Sequence, residues 1–162
     1  EYGLVQLNLD DEDAIKDGYR KIEKTLASHQ ARFDGVIVAR MVKGRREMLI
    51  GAHRDPIFGP VVVVGDGGKY VEAMPDLKLL LPPFNVEDAV RALMSLRCAA
   101  VLKGVRGEPP MDIQAMAQAA VLVAELMRDP AIRSLDINPL MLGSDGEGYA
   151  IVDAVVIRDA AG

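Results

Sequence analysis

The 162-residue chain has a single cysteine, no tryptophan and two histidines, and aromatic residues make up 4% of it. One thiol, Cys98, excludes an internal disulfide and any thiolate-rich zinc site. No apolar run approaches the roughly 18–20 residues that a membrane-spanning helix needs. Basic charge is short too: 19 Lys and Arg against 24 Asp and Glu leave a net charge of -5. Nucleic-acid binders draw phosphate to a basic face and often stack bases on aromatic rings, so this composition argues against one. What the chain does have is 50% hydrophobic and 27% charged residues, the balance of a globular domain with a real core. A cytoplasmic protein is expected, with neither nucleic acid nor membrane as partner.

Punctuation and periodicity divide the chain. Residues 3–9 read as a short strand, and a strand so near Glu1 suggests an excerpt from a longer polypeptide or a processed subunit. Asp10 reads as the cap of a helix whose buried stripe is Ile15, Tyr19, Ile22 and Leu26. Residues 36–42, 47–53 and 61–64 are β-rich, and Lys43-Gly44-Arg45-Arg46 is a plausible hairpin turn between the first two. Pro75 and Pro82-Pro83 mark an irregular crossing. Asn85 caps a short helix, and Asp112 caps the longest one, which runs to about Met127. Strands at 133–142 and 149–156 flank a polar loop at 143–148. Strands early and late with helices between predict an α+β single domain, with a largely antiparallel sheet and helices on one side.

The terminal hairpin carries the most chemistry. If Leu142 pairs with Tyr149, Asn138 falls opposite Asp153 and Asp136 opposite Val155. Period-two alternation then puts Asp136, Asn138 and Asp153 on one face. Directly opposed Cβ atoms lie about 4.5–5.5 Å apart, close enough for two side-chain oxygens to share a cation. Mg²⁺ commonly takes one or two protein oxygens and fills its shell with phosphate and water. The plainer reading makes Asn138 and Asp153 turn and capping residues near strand ends, with Pro139 marking an edge or a bulge. Gly65-Asp66-Gly67-Gly68 after a valine run is either a phosphate-cradling loop or a tight turn. Arg54 and Arg106, in loops rich in Gly and Pro, could hold phosphate; for Arg45 and Arg46 surface solvation is the simpler account. Cys98, among Leu96, Ala99 and Ala100, reads as a buried inert thiol, and Met116 and Met127 as core.

Taken together these segments resemble the ATP-grasp domain of ADP-forming (NDP-forming) acyl-CoA synthetases. The resemblance rests on Val38-Ala39-Arg40-Met41-Val42-Lys43-Gly44 with Glu47, on Arg54-Asp55-Pro56-Ile57-Phe58-Gly59-Pro60-Val61 and on Gly65-Asp66-Gly67-Gly68. Lys103-Gly104-Val105-Arg106-Gly107 and Asp136-Ile137-Asn138-Pro139-Leu140 with Asp153 complete it, in the family's order. It implies an acid–thiol ligase that converts acyl-CoA, ADP and phosphate to acid, CoA and ATP. The implied route runs through an acyl phosphate and a phosphohistidine carried on another domain. By the same resemblance Asn138 and Asp153 bind Mg²⁺ and Asp136 meets the phosphohistidine, as Asp where the family usually has Glu. Glu47 lies at the ribose of ATP or ADP, Val42 turns its backbone to the adenine, and Gly67 and Gly68 belong to the nucleotide site.

At Ala39 the family usually has Glu or Gln, so one base-recognition hydrogen bond is lost, about 0.5–1.5 kcal/mol. The resemblance further implies that the chain is the second, C-terminal lobe of the fold. The first lobe and the CoA-binding and phosphohistidine-carrying domains would then lie elsewhere, and the isolated chain would not turn over. The alternative is a regulatory ATP-grasp-like module of a protein lysine acetyltransferase.

Overall fold

The structure is a computed structural model and describes residues 3–68 and 73–159. The chain forms two compact units, Glu1–Met41 and Val42–Gly162. In the smaller unit, helix α1 (Glu12–Ser28) starts one residue later than the sequence suggested: Asp11, not Asp10, is its cap, and its carboxylate accepts the Ala14 N–H at 2.7 Å. Glu12 and Asp13 add negative charge at the positive end of the helix. Gly18 is the one buried residue of α1, and a Cβ there would stand 3.2 Å from Leu9 Cδ1. Tyr19 meets Phe33 edge-on, with ring centres 5.3 Å apart.

Neither residues 3–9 nor 36–42 form the strands expected of them. β propensity describes a surface that suits a sheet; the strand itself needs a hydrogen-bonded neighbour. The described residues offer none to either segment, and Val5, Leu7, Ile37 and Val38 stand exposed. The predicted 43–46 hairpin turn falls with them.

The larger unit is an antiparallel sheet backed by helices, as expected. Its strands are β1 (Arg46–Asp55), β2 (Gly59–Asp66), β3 (Leu77–Leu80), β4 (Ile132–Leu142), β5 (Tyr149–Ile151) and β6 (Ala154–Arg158). Their order is β3-β2-β1-β4-β5, and β6 also pairs with β4, beyond β5 along the same edge. The valine run at 61–64 lies in β2, inside the sheet, as its composition implied. β3 is an addition: Leu77-Lys78-Leu79-Leu80 lies within the stretch read as an irregular crossing. The last predicted strand is real but interrupted at Val152 and Asp153.

Helices α2 (Val86–Met94), α3 (Ala99–Leu102) and α4 (Ile113–Leu126) complete the unit. Asn85 and Asp88 exchange side-chain-to-backbone hydrogen bonds in a capping box that starts α2. Met48, Ile50 and Ala52 of β1 and Val62 and Val64 of β2 share one core with Leu93 of α2 and Met116 of α4. Burying each large side chain of this set contributes roughly 1.5–3 kcal/mol. Met116 and Met127 are both fully buried, as anticipated.

Arg54 corrects another expectation. Its guanidinium donates to the carbonyls of Met127, Asp129 and Ile132 at 2.5–2.8 Å. Those carbonyls lie at and beyond the end of α4 and at the start of β4, so Arg54 closes the helix C-terminus through Nε and NH2, and only NH1 is left without a partner among the described residues. A local sequence reading cannot see that use, because the acceptors are more than 70 residues away.

Asp76 ties β2 to the segment between α2 and α3. Its carbonyl accepts the Asp66 N–H, and its buried carboxylate accepts the N–H groups of Arg97 (3.0 Å) and Cys98 (2.9 Å). Burial pushes its pKa up, but these donors and the Arg97 charge pull it further, to a net value below the ordinary one. A depressed carboxylate stabilises the fold above its unfolded pKa, and that stability is lost as pH falls through the folded value. Denaturant midpoints should therefore begin to drop below about pH 4, where unfolded Asp titrates. In Asp76→Asn this part of the acid dependence should be missing. Cys98 itself is pushed up to about 11, mainly by burial and then by the Asp66 and Asp76 charges. The thiol stays protonated at neutral pH, in keeping with an inert side chain.

Candidate functional site

The predicted residues lie along the sheet of the larger unit in two groups. The first lies along β4 and the broken edge strand. Ile137 pairs with Ala154, Asp136 with Val155 and Leu140 with Ile151. Between them the Asn138 N–H donates to the Asp153 carbonyl (3.2 Å), and the Val152 N–H to the Pro139 carbonyl (3.1 Å). The register inferred from the loop is thus the register found: Asn138 stands opposite Asp153, two positions from Asp136 opposite Val155. The Asp136 carboxylate lies over Gly51 of β1, with Oδ1 3.8 Å from where a Cβ on that glycine would be.

Pro139 does mark a bulge. The pairing of β1 with β4 shifts by one residue between Met48 and Ile50. On β4 the buried residues flanking the shift are Leu135 and Ile137 before it and Leu140 and Leu142 after it. The extra residue changes which face each parity takes, so Asp136 stays exposed while both halves of the strand keep a core side.

The second group is at the start of β1. Glu47 pairs with Met141 on β4, and the Gly67 N–H donates to the Glu47 carbonyl at 3.0 Å. The end of β2 therefore folds over Glu47, and Gly68, at φ +79°, packs on its carboxylate. Along β1, Glu47 and Gly51 are four residues apart, about 14 Å at the rise of an antiparallel strand. Val42 opens the larger unit, and the chain after it follows β4: a Cβ on Gly44 would be 2.7 Å from Met141 Cβ, and the Arg45 N–H donates to the Leu142 carbonyl.

None of the side chains of Glu47, Asp136, Asn138 and Asp153 has a hydrogen bond or ion pair among the described residues. The neighbouring charges are occupied. Arg46 holds Asp66 in a two-pronged pair, Nε–Oδ1 2.8 Å and NH2–Oδ2 2.6 Å, and that hydrogen bond raises the guanidinium pKa further. The Asp66 charge in the glycine-rich segment is thereby neutralised by a neighbour. Arg45 donates to Glu108 and to the Pro109 carbonyl, so neither arginine is merely solvated. Arg106 stands exposed with φ 51° and no such partner among the described residues.

Sequence reading missed what fixes the hairpin. Asp112 caps α4 through Oδ1, accepting the Ala115 N–H at 3.0 Å. Its Oδ2 accepts the Gly146 and Gly148 N–H groups at 3.1 and 2.9 Å, holding the loop between β4 and β5. Only the capping half has a local signal.

An antiparallel sheet backed on one face by α2 and α4 defines an α+β domain. The chain belongs to the ATP-grasp domain family, whose family model matches residues 1–157. It is 35% identical over 161 residues to the Acetate–CoA ligase [ADP-forming] I subunit beta of Pyrococcus furiosus, covering 98% of this chain and 66% of that subunit. It is 37% identical over 158 residues to a trans-feruloyl-CoA synthase of an unknown prokaryotic organism, 96% of this chain and 22% of that one. Among solved structures, the dinucleotide-forming acetyl-coenzyme A synthetase 1 of Ca. Korarchaeum cryptofilum superposes with a TM-score of 0.82 at 28% identity, over 95% of this chain and 67% of that one. That structure holds coenzyme A and Mg-AMPPCP, with a phosphohistidine segment pointing towards the nucleotide binding site. The chain thus spans about a fifth of the larger synthase and two thirds of the separate subunit.

Proposed function

We propose that this chain is the nucleotide- and Mg²⁺-binding second lobe of an ADP-forming acyl-CoA synthetase. The observation that carries the reading is that the side chains of Glu47, Asp136, Asn138 and Asp153 have no hydrogen bond or ion pair among the described residues. Asn138 and Asp153, cross-strand neighbours by register, fit a hard cation with their oxygen donors. They would hold Mg²⁺, whose chemistry is to neutralise phosphate charge. Glu47, some 14 Å along β1 from the Asp136 end, would accept hydrogen bonds from ribose hydroxyls. Asp136 would face a phosphohistidine brought by another domain.

Completing the site falls to segments beyond this lobe: a first lobe, and the CoA-binding and phosphohistidine-carrying domains. No observation favours the alternative of a regulatory module in a lysine acetyltransferase. The test is calorimetric titration of ADP, with and without Mg²⁺, into the chain completed by a first lobe. Saturable binding that strengthens with Mg²⁺ is expected; no binding, or binding indifferent to Mg²⁺, would refute the reading.

A further inference from the structure

Gly68 has φ +79°, and a Cβ built on it would overlap Glu47 Oε2 and stand 3.2 Å from Glu47 Cδ. Its neighbour Gly67 is equally constrained: a Cβ there would sit 2.8 Å from the Met48 carbonyl carbon and oxygen, while its N–H holds the Glu47 carbonyl. The Glu47 carboxylate is exposed and has no hydrogen bond or ion pair among the described residues. Among the described residues its carboxylate lies against Gly68 and meets no charged group.

We propose that Gly68 is a positioning residue for Glu47: its missing side chain leaves the space in which the carboxylate sits, and so aims it at the hydroxyls of a bound nucleoside diphosphate. This rests on the reading of Glu47 as a ribose acceptor given above. It also gives the glycine pair a different task from cradling phosphate, because an anion at Gly68 would meet the Glu47 carboxylate. A side chain at 68 displaces that carboxylate by an ångström or more, enough to break a hydrogen bond whose length range is about 2.5–3.2 Å.

The readout is the ratio of affinities for ADP and 2′,3′-dideoxy-ADP, by calorimetry on the chain completed by a first lobe. Loss of folding alone does not move this ratio. The wild-type chain should prefer ADP by about tenfold, the value of one hydrogen bond to a charged group. Gly68→Ala should bring the ratio close to one, as should Glu47→Ala, and the double variant should show no further change. Glu47→Asp in the Gly68→Ala background, with a carboxylate one methylene shorter, should restore part of the preference. Gly59→Ala controls for backbone strain, since Gly59 has φ +73° with open space where its Cβ would go; it should lower stability and leave the ratio alone. If Glu47→Ala lowers the ratio and Gly68→Ala does not, the positioning role is overturned and the function stands. A Gly68→Ala effect that persists in the Glu47→Ala background overturns it equally. A wild-type ratio of one removes the ribose role of Glu47, and this inference with it.

Discussion

Asp153→Ala is expected to weaken Mg–ADP binding by about tenfold or more, some 1.4 kcal/mol, in the chain completed by a first lobe. The argument is that a cation held between Asn138 and Asp153 depends mainly on the one that carries charge. Asn138 offers a neutral carbonyl oxygen; Asp153 offers a full negative charge at the position opposite, where Asn138 donates to its backbone. Losing the carboxylate leaves one weak protein ligand and a shell of water and phosphate, which Mg²⁺ accepts but which no longer ties the nucleotide to the sheet. The effect must run through the metal, which separates this role from general loss of structure. In excess chelator, wild-type and Asp153→Ala chains should bind ADP equally weakly. A difference that survives chelation, or no difference with Mg²⁺, would take Asp153 out of the site. Asn138→Ala should follow the same pattern with a smaller loss.

Asp112→Ala should cost about 3 kcal/mol of unfolding free energy, measured by denaturant titration. One part is the lost helix cap, about 1 kcal/mol. The other is the loss of charged hydrogen bonds to Gly146 and Gly148, at about 1.5–3 kcal/mol for hydrogen bonds to charged groups in general. Asp112 is buried, only 8% exposed, so water replaces its carboxylate poorly. Asp112→Asn keeps one acceptor oxygen and should lose less, because it can serve either the helix or the loop but not both. Ala and Asn variants with equal stability would show that the loop finds other partners. A loss near 1 kcal/mol in both would reduce Asp112 to an ordinary cap.

The site hairpin was legible because its loop is short, polar and rich in glycine, so a pairing of Leu142 with Tyr149 could be supposed across it, and that of Asn138 with Asp153 follows from the supposition. Capping residues were legible for the same local reason: Asn85 and Asp112 lie where they were expected. What failed was non-local. Residues 36–42 have the composition of a strand, but pairing belongs to the partner as much as to the segment. Arg54 and the second carboxylate oxygen of Asp112 are used by backbone groups far along the chain, and no spacing announces them. The one-residue shift on β4 was only half visible. Pro139 pointed to an irregularity, while the exchange of faces on either side of it follows from β1, which the hairpin does not contain.

That exchange makes the strand intolerant of changes in length. Delete one residue between Ile137 and Leu140 and the two halves fall into a single phase. Either Asp136 is then driven beneath the helices, or Leu140 and Leu142 are turned out into water. Substitutions at 138 and 139 can be absorbed as losses of ligand or of local shape, but an insertion or deletion there trades the core against the site. Lineages that carry this domain should therefore vary the composition of the segment while conserving its count.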